Sequence, residues 1–123
     1  MIKTAMRLGL AVVVMGFFAN FLWGGSADQK ADVAALIKGG ALVVDVRSSG
    51  EFSGGHVDGA VNIPYNVIVR EIDRYESDKN RRIIVYCRSG ARSAAAKRAL
   101  ESTGYVDVIN SGSLRAMRRG IQK

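Results

Sequence analysis

The stretch RIIVYCRSGARS, residues 82–93, decides the fold. It begins with a run of β-branched and apolar residues, which is typical of a buried strand. The run leads into Cys87, the only cysteine of the chain, and a small glycine-containing loop follows. The alanine-rich residues 93–103 are good helix formers, and Gly104 ends the run. This segment therefore predicts a strand, a tight loop that starts with a lone thiol, and a helix.

An alternation of strands and helices extends on both sides of this segment. Short apolar runs predict three further strands, at 41–46, 60–63 and 105–109. Capping signals and helical spacing of apolar residues predict helices at 28–38, 66–77 and 112–119. The stretch 48–56 is rich in glycine and serine and indicates a loop with one helical turn. This order predicts an α/β fold with a mostly parallel sheet.

Residues 1–27 have the pattern of an export leader. A short positive start precedes the apolar run 8–23, and small residues up to Ala27 follow it. This is the order of a signal peptide cleaved after Ala27. Trp23 also fits an uncleaved anchor, an apolar helix slightly shorter than the ~20 residues that a span needs; an ordinary buried helix is the third alternative. A signal peptide and an anchor both predict an exported domain at 28–123, which is periplasmic in the first case and anchored to the cytoplasmic membrane in the second.

Composition limits the classes of function. Hydrophobic residues make up 48% of the chain and charged residues 24%, as in a globular domain. One cysteine excludes an internal disulfide, and one histidine leaves too few ligands for a metal site, so we expect neither metal nor cofactor. The net charge of +7 attracts anions. Because no basic stripe is interleaved with aromatic residues, we expect a small anionic substrate and no nucleic acid.

The loop after Cys87 has the chemistry of an anion cradle. Ligands of open α/β sheets bind beyond the carboxyl ends of the strands, where this thiol is expected to lie. Gly90 allows the loop to curl so that backbone N–H groups point inward, and the next helix adds its positive end. Arg88 and Arg92 add full charges. We therefore predict a lowered pKa for Cys87, whose thiolate could attack the outer sulfur of thiosulfate and hold it as a persulfide.

Three motifs of the chain resemble those of the rhodanese family. VVDVR at 43–47 is similar to the family's Asp-x-Arg, and EF at 51–52 with GHVDGAVNIP at 55–64 is similar to its second motif. The loop at 87–93 is similar to the family's C-x-x-G-x-R-S. They occur in family order over about 28–120, and the leader is like that of small exported members. The resemblance implies a three-layer α/β fold and thiosulfate sulfurtransferase activity.

The resemblance also implies a role for each matching residue. Cys87 would be the catalytic sulfur acceptor. The substrate would be held by the loop residues Arg88, Ser89, Gly90, Ala91 and Arg92. Supporting roles near the site would fall to Asp45, Arg47 and Ser93. The donor would be thiosulfate or a related anion, and the acceptor cyanide or a thiol. Many family members have a tryptophan near the chain end, and here Met117 would have to take over its packing.

Two further residues of the second motif have a structural and a catalytic interpretation. Glu51 lies at capping-box spacing from Ser48, which favours a helix-start acceptor over a catalytic carboxylate. His56 is the sole histidine and could act as a general base. In the family the corresponding position looks architectural, which favours a structural histidine.

Three other functions remain as alternatives. A phosphatase or arsenate reductase would need five residues between its cysteine and arginine, whereas four separate Cys87 from Arg92. A non-catalytic rhodanese-like module that binds sulfur or anions is the second alternative. A mixed disulfide between Cys87 and a partner protein is the third. A buried, inert cysteine is the simplest interpretation of a free thiol, but the basic loop argues against it. The oligomeric state is not predicted.

Overall fold

The computed structural model describes residues 32–122. In chain order its elements are α1 (Val33–Lys38), β1 (Leu42–Asp45), α2 (Ser49–Ser53), β2 (Val61–Asn62), α3 (Ile68–Glu71), β3 (Ile83–Cys87), α4 (Ala91–Ser102), β4 (Val108–Ser113) and α5 (Leu114–Ile121). Two short 3₁₀ turns, Tyr65–Val67 and Ile72–Arg74, flank α3. The leader predicted at 1–27 lies outside the described residues. Within 32–122, every helix is too short or too polar to cross a membrane.

The four strands form one parallel sheet in the order β2-β1-β3-β4. The central pair runs from Leu42 beside Ile83 to Asp45 beside Tyr86. Since parallel strands end at the same edge of a sheet, the ends of β1 and β3 bring Asp45 and Cys87 to one edge. The predicted α/β fold with a parallel sheet is confirmed.

Helices cover both faces of the sheet, because side chains of successive strand residues point to opposite faces. One face packs against α3 and α4, and its buried residues include Val44, Ile83, Val85, Ile68, Ile72, Ala96 and Leu100. The other face packs against α1 and α5 through Val33, Val43, Ile84, Tyr86 and Met117. Both strands at the centre are buried, as is usual for parallel sheets. The result is a three-layer structure, as the resemblance implied.

The predicted helix at 66–77 is shorter and turned relative to the expectation. It starts one residue early as a 3₁₀ turn, is α-helical only over Ile68–Glu71, and Asn66 makes no side-chain cap. Val69, whose helical spacing from Ile72 contributed to the prediction of this helix, is 47% exposed. Ile68 and Ile72, four residues apart, are each 1% exposed. The buried stripe is therefore displaced by one residue from Val69, because these two isoleucines share one helix face.

The ends of other elements also differ from the sequence prediction. The strand predicted at 105–109 is β4, Val108–Ser113, and Tyr105 lies outside it in the core. The helix predicted at 93–103 starts at Ala91, so the loop is shorter than expected. Cys87 is the last residue of β3 and not the first residue of the loop. The helix predicted at 28–38 begins only at Val33, after Asp32, whose side chain accepts from the Ala35 amide. The predicted start itself lies outside the described residues, and the end at Lys38 before the glycines is confirmed.

The last helix begins two residues later than expected, at Leu114. Its N-cap is Ser113, whose side-chain oxygen accepts a hydrogen bond from the amide of Ala116 at 3.0 Å. A serine in this position satisfies one of the amides that the first helical turn leaves unpaired. Met117 on this helix is fully buried against the sheet, as its expected packing role requires.

Candidate active site

Cys87 ends β3 and its side chain is surrounded by hydrogen-bond donors. The side chain points to the face that packs against α4, and the residue is fully buried. The amide of Gly90 donates to Sγ at 2.9 Å. The hydroxyl of Ser93 lies 3.4 Å from Sγ. The loop therefore curls around the sulfur in the way that the sequence predicted.

Gly90 makes this curl by adopting a left-handed conformation. Its φ is +98°, a region that residues with a Cβ rarely enter. It is also the N-cap residue of α4, so the sulfur lies at the start of a twelve-residue helix. The helix presents its unpaired amides and its positive dipole end in that direction. Both features stabilise negative charge on Cys87.

The pKa of Cys87 is lowered, as predicted, although the balance of causes differs from the expectation. Burial is the largest influence and raises the pKa of the thiol. The Ser93 hydroxyl opposes it, together with the amides of Ser93, Gly90 and Ser89. Their combined effect outweighs burial. Hydrogen bonds from backbone amides, which the sequence predicted, and from the Ser93 hydroxyl, which it did not, thus favour the thiolate.

Asn110 is a residue of the site that the sequence analysis missed. Its side-chain oxygen accepts from the Ser93 hydroxyl at 2.7 Å and from the Gly112 amide at 2.9 Å, and its side-chain nitrogen donates to the Gly90 carbonyl at 3.3 Å. One amide side chain thus positions the Ser93 hydroxyl and the Gly90 turn beside Cys87. Because this hydroxyl has one proton, it donates either to Asn110 or to Sγ. Asn110 precedes a serine and a glycine, a turn signal, but nothing in the sequence links that turn to the cysteine loop.

Arg92 is paired with a carboxylate. Its guanidinium donates to both oxygens of Glu51, at 2.7 and 3.0 Å. Glu51 also completes a capping box with Ser48, whose side chain accepts from the Glu51 amide, so the predicted helix-start role is confirmed. The Arg92 hydrogen bond is the main reason that the pKa of Glu51 falls to about 2, and the Ser48 amide adds to it. Arg92 therefore contributes to the site as half of an ion pair.

Asp45 and Arg47 form a buried pair at the end of β1. Asp45 accepts from the Arg47 amide at 2.9 Å, and the guanidinium contacts the carboxylate at 2.7 Å. The guanidinium also donates to the Gly55 carbonyl at 2.6 Å, and Asn62 donates to the carbonyls of both residues of the pair. These contacts fix the loop after β1 beside the Cys87 strand, and the supporting role of the two residues in the site stays a prediction.

His56 stacks on Phe52, with ring centres 3.6 Å apart, and its Nδ1 lies 2.7 Å from the Phe52 carbonyl. A carbonyl only accepts, so Nδ1 carries the proton of this hydrogen bond. These contacts fit the structural interpretation of His56. The remaining predicted loop residues, Arg88, Ser89 and Ala91, are exposed at the rim of the cradle.

Comparison with known proteins decides the family. The family model for the rhodanese-like domain matches residues 29–117, which is most of the chain. The chain belongs to the rhodanese family. Its parallel sheet flanked by helices is the rhodanese fold.

Sulfurtransferases of two bacteria show the degree of similarity. The chain is 39% identical over 72 residues to the thiosulfate sulfurtransferase PspE of Escherichia coli, covering 58% of this chain and 69% of that protein. It is 39% identical over 69 residues to a sulfurtransferase of Allochromatium vinosum, covering 56% and 63%. A solved structure described as a rhodanese with anions from E. coli superposes with a TM-score of 0.60 at 37% identity, over 62% of this chain and 89% of that one.

Proposed function

We propose that this rhodanese is a sulfurtransferase that moves a sulfane sulfur from thiosulfate, or a related donor, to a thiophilic acceptor through a persulfide on Cys87. The observation that carries the proposal is the 2.9 Å contact between the Gly90 amide and Sγ. A backbone donor aimed at sulfur stabilises a negative charge there, which both the attacking thiolate and the persulfide product bear. Two sulfurtransferases among the relatives support the same chemistry.

The first half of the reaction loads the enzyme. The Cys87 thiolate attacks the outer sulfur of thiosulfate, and a new S–S bond forms. The old S–S bond breaks, and sulfite leaves with its electron pair, so Cys87 carries a persulfide anion. The Gly90 amide and the Ser93 hydroxyl favour the thiolate that starts this step.

The second half regenerates the thiolate. Cyanide or a thiolate attacks the outer sulfur of the persulfide. This sulfur atom departs from Cys87 with the acceptor, as thiocyanate or as a new persulfide. The electron pair of the broken S–S bond returns to Cys87. Between the two halves the sulfur is held covalently, which is the two-step pattern of nucleophilic catalysis.

The geometry of the cradle argues against the phosphatase alternative. The Gly90 amide is already directed at Sγ, and Arg92 is held by Glu51 rather than left open above the loop. A phosphoryl group would need several donors around its three free oxygens. The short loop is better suited to a single sulfur atom on Cys87.

A thiocyanate assay tests the proposed function. Purified protein is given thiosulfate and cyanide, and thiocyanate is measured against a Cys87→Ser variant whose fold is checked by circular dichroism. We expect turnover by the wild type and none by the variant. A folded wild type that forms no thiocyanate and accepts no sulfur would favour the non-catalytic module instead. Phosphatase activity on an aryl phosphate, lost in the same variant, would favour that alternative.

We also propose that residues 1–27 direct the domain out of the cytoplasm. The support is the order of charge, apolar run and small residues in the sequence. Fractionation of cells that make the full chain, with the mass of the recovered protein, tests this. Recovery from the periplasm at the mass expected after cleavage at Ala27 would support a signal peptide. Recovery of the uncleaved chain from membranes would support an anchor. Full-length protein in the cytoplasm alone would contradict both.

A further inference from the structure

A cavity of about 810 Å³ lies beside the cysteine loop, between α2 and α5. Residues on its wall include Arg47, Glu51, Arg88, Arg115, Arg118 and Arg119. Arg88 directly follows Cys87, and Ser113, also on the wall, is paired with Cys87 in the sheet. Cys87 itself does not line the cavity. The cavity therefore lies beside the end of β3 that carries Cys87, without being the sulfur cradle.

The wall of the cavity carries positive charge that the described part of the chain does not neutralise. Arg47 forms an ion pair with Asp45, and Glu51 forms an ion pair with Arg92. Within 32–122 no ion pair or side-chain hydrogen bond involves the other four arginines of the wall, which are exposed: Arg88, Arg115, Arg118 and Arg119. Four guanidinium groups thus face one cavity without a carboxylate partner among these residues.

This arrangement has a cost for the free protein. Arg115 lies three and four residues before Arg118 and Arg119 on α5, so their side chains are neighbours on the helix surface. Like charges at this spacing repel one another and destabilise a helix. A bound anion would remove that repulsion, and guanidinium groups match carboxylate and phosphate oxygens through paired hydrogen bonds. The cluster is therefore suited to a ligand with several anionic oxygens.

The size of the cavity also exceeds what the smallest substrates need. Thiosulfate and cyanide have only a few heavy atoms, whereas cavities of roughly 300–1,000 Å³ hold ligands of the size of a drug or cofactor. Single-stranded nucleic acid is bound by an extended basic groove with aromatic residues. The residues that line this wall include no aromatic residue. A compact organic anion fits the volume and the charge better than a nucleic acid.

We propose that this cavity binds the acceptor of the second half-reaction, a thiol that carries two or more carboxylate or phosphate groups. The inference rests on the proposed persulfide chemistry of Cys87. The acceptor's thiolate attacks the outer sulfur, the S–S bond to Cys87 breaks, and Cys87 leaves as a thiolate while the acceptor departs as a persulfide. Both reactants are anions, and the arginines of the cavity lower the repulsion between them.

The experiment separates loading of sulfur from its removal. Cys87 is first loaded with thiosulfate and the excess donor is removed. The loaded protein then reacts with mercaptosuccinate, with coenzyme A or with mercaptoethanol, and loss of the persulfide is followed by mass. Mercaptosuccinate carries carboxylates, coenzyme A carries phosphates and mercaptoethanol has no anionic group, so the three thiols test charge and distinguish the two oxyanion chemistries.

Two double variants with the same loss of charge complete the design. Arg115→Gln with Arg118→Gln removes two arginines of the cavity wall. Arg70→Gln with Arg98→Gln removes two exposed arginines of α3 and α4 that do not line it. We expect the cavity variant to react about tenfold more slowly with at least one anionic thiol, with less than a twofold change for mercaptoethanol. The control variant should react like the wild type with all three thiols.

The outcomes separate the two proposals. Failure of the wild type to load sulfur would contradict the proposed function itself. Normal loading with equal rates for the cavity variant and the control variant would leave the proposed function intact and overturn the acceptor site. Equal slowing of all three thiols by the cavity variant would overturn it as well, because the effect would not depend on anionic groups. Binding of a single-stranded oligonucleotide that the cavity variant loses, without selective slowing of an anionic thiol, would assign the arginines to nucleic acid instead.

Discussion

Glu51 accepts hydrogen bonds from both terminal nitrogens of Arg92, and this ion pair ties α2 to the first turn of α4. The two residues are 41 positions apart in the chain. Glu51 also lines the arginine-rich cavity, while Arg92 lies in the first turn of α4, directly after the loop that curls around Cys87. The pair is therefore a link between the sulfur cradle and the arginine-rich cavity.

Replacing Arg92 should impair loading of Cys87 because the first turn of α4 loses its anchor on α2. We expect Arg92→Ala to lower kcat/KM for thiosulfate by roughly tenfold, measured by thiocyanate formation. Lys38→Ala, which removes an exposed cation at the far end of α1, is the control and should have little effect. Equal losses in both variants would mean that only net charge matters and would remove Arg92 from the site.

The same pair predicts how stability changes in acid. The pKa of Glu51 is lowered from 4.5 to about 2 by Arg92 and Ser48, so the folded state favours the ionised carboxylate. That contribution is fully present above pH 4.5 and is lost as the pH falls through about 2. Because the pair is partly exposed, the effect is about 1 kcal/mol or less. Between pH 5 and 2.5 the free energy of unfolding should therefore fall less in Glu51→Gln than in the wild type. Urea titrations measure it, and an equal fall in the two proteins would refute this.

Substitution of Gly90 should damage activity more than stability. An alanine Cβ there would meet a φ of +98° and lie 3.5 Å from the Cα of Gly112. Gly40 has the same φ and open space around it, so Gly40→Ala carries a similar conformational cost of about 1–2 kcal/mol. We expect thermal unfolding to report comparable destabilisation, whereas only Gly90→Ala, which displaces the amide from Sγ, loses sulfur transfer. Normal kinetics in Gly90→Ala would show that this amide is dispensable.

The hydroxyl of Ser93 should control the ionisation of the thiol. Ser93→Ala removes the most effective of the donors that lower the Cys87 pKa, so the pKa should rise. The pH dependence of alkylation by iodoacetamide measures this, and at neutral pH the variant should react several-fold more slowly than the wild type. Ser102→Ala removes an exposed hydroxyl at the end of the same helix and serves as the control. An unchanged alkylation profile in Ser93→Ala would assign the thiolate's stabilisation to the backbone amides alone.

The sequence was sufficient to predict the parts of the fold that depend on local patterns. Apolar runs located β1 and β3, and the small loop after Cys87 indicated an anion cradle that the structure contains. β4 was misplaced because the apolar residues near Tyr105 suggested a strand. In the structure Tyr105 is buried beside the sheet and its hydroxyl donates to the Glu76 carbonyl. The polar end of β4 is a strand only because it pairs with β3.

Contacts between distant residues account for what the sequence did not reveal. Arg92 looked like a free charge because its partner Glu51 lies in a separate motif. Asn110 looked like a turn residue, and only the folded chain brings its amide to Ser93 and Gly90. The arginines of α5 drew no attention as a group, because a helix presents them to a cavity whose other wall comes from α2. Patterns of nearby residues predict elements, whereas such sites depend on tertiary structure.

The central claim is that Cys87 holds a transferable sulfur atom as a persulfide. The most direct measurement is the intact mass of the purified protein before and after thiosulfate, with cyanide added last. We expect the wild type to gain the mass of one sulfur atom and to lose it with cyanide, and Cys87→Ser to show no change. A wild-type mass that thiosulfate does not alter, or an equal gain in Cys87→Ser, would contradict the claim.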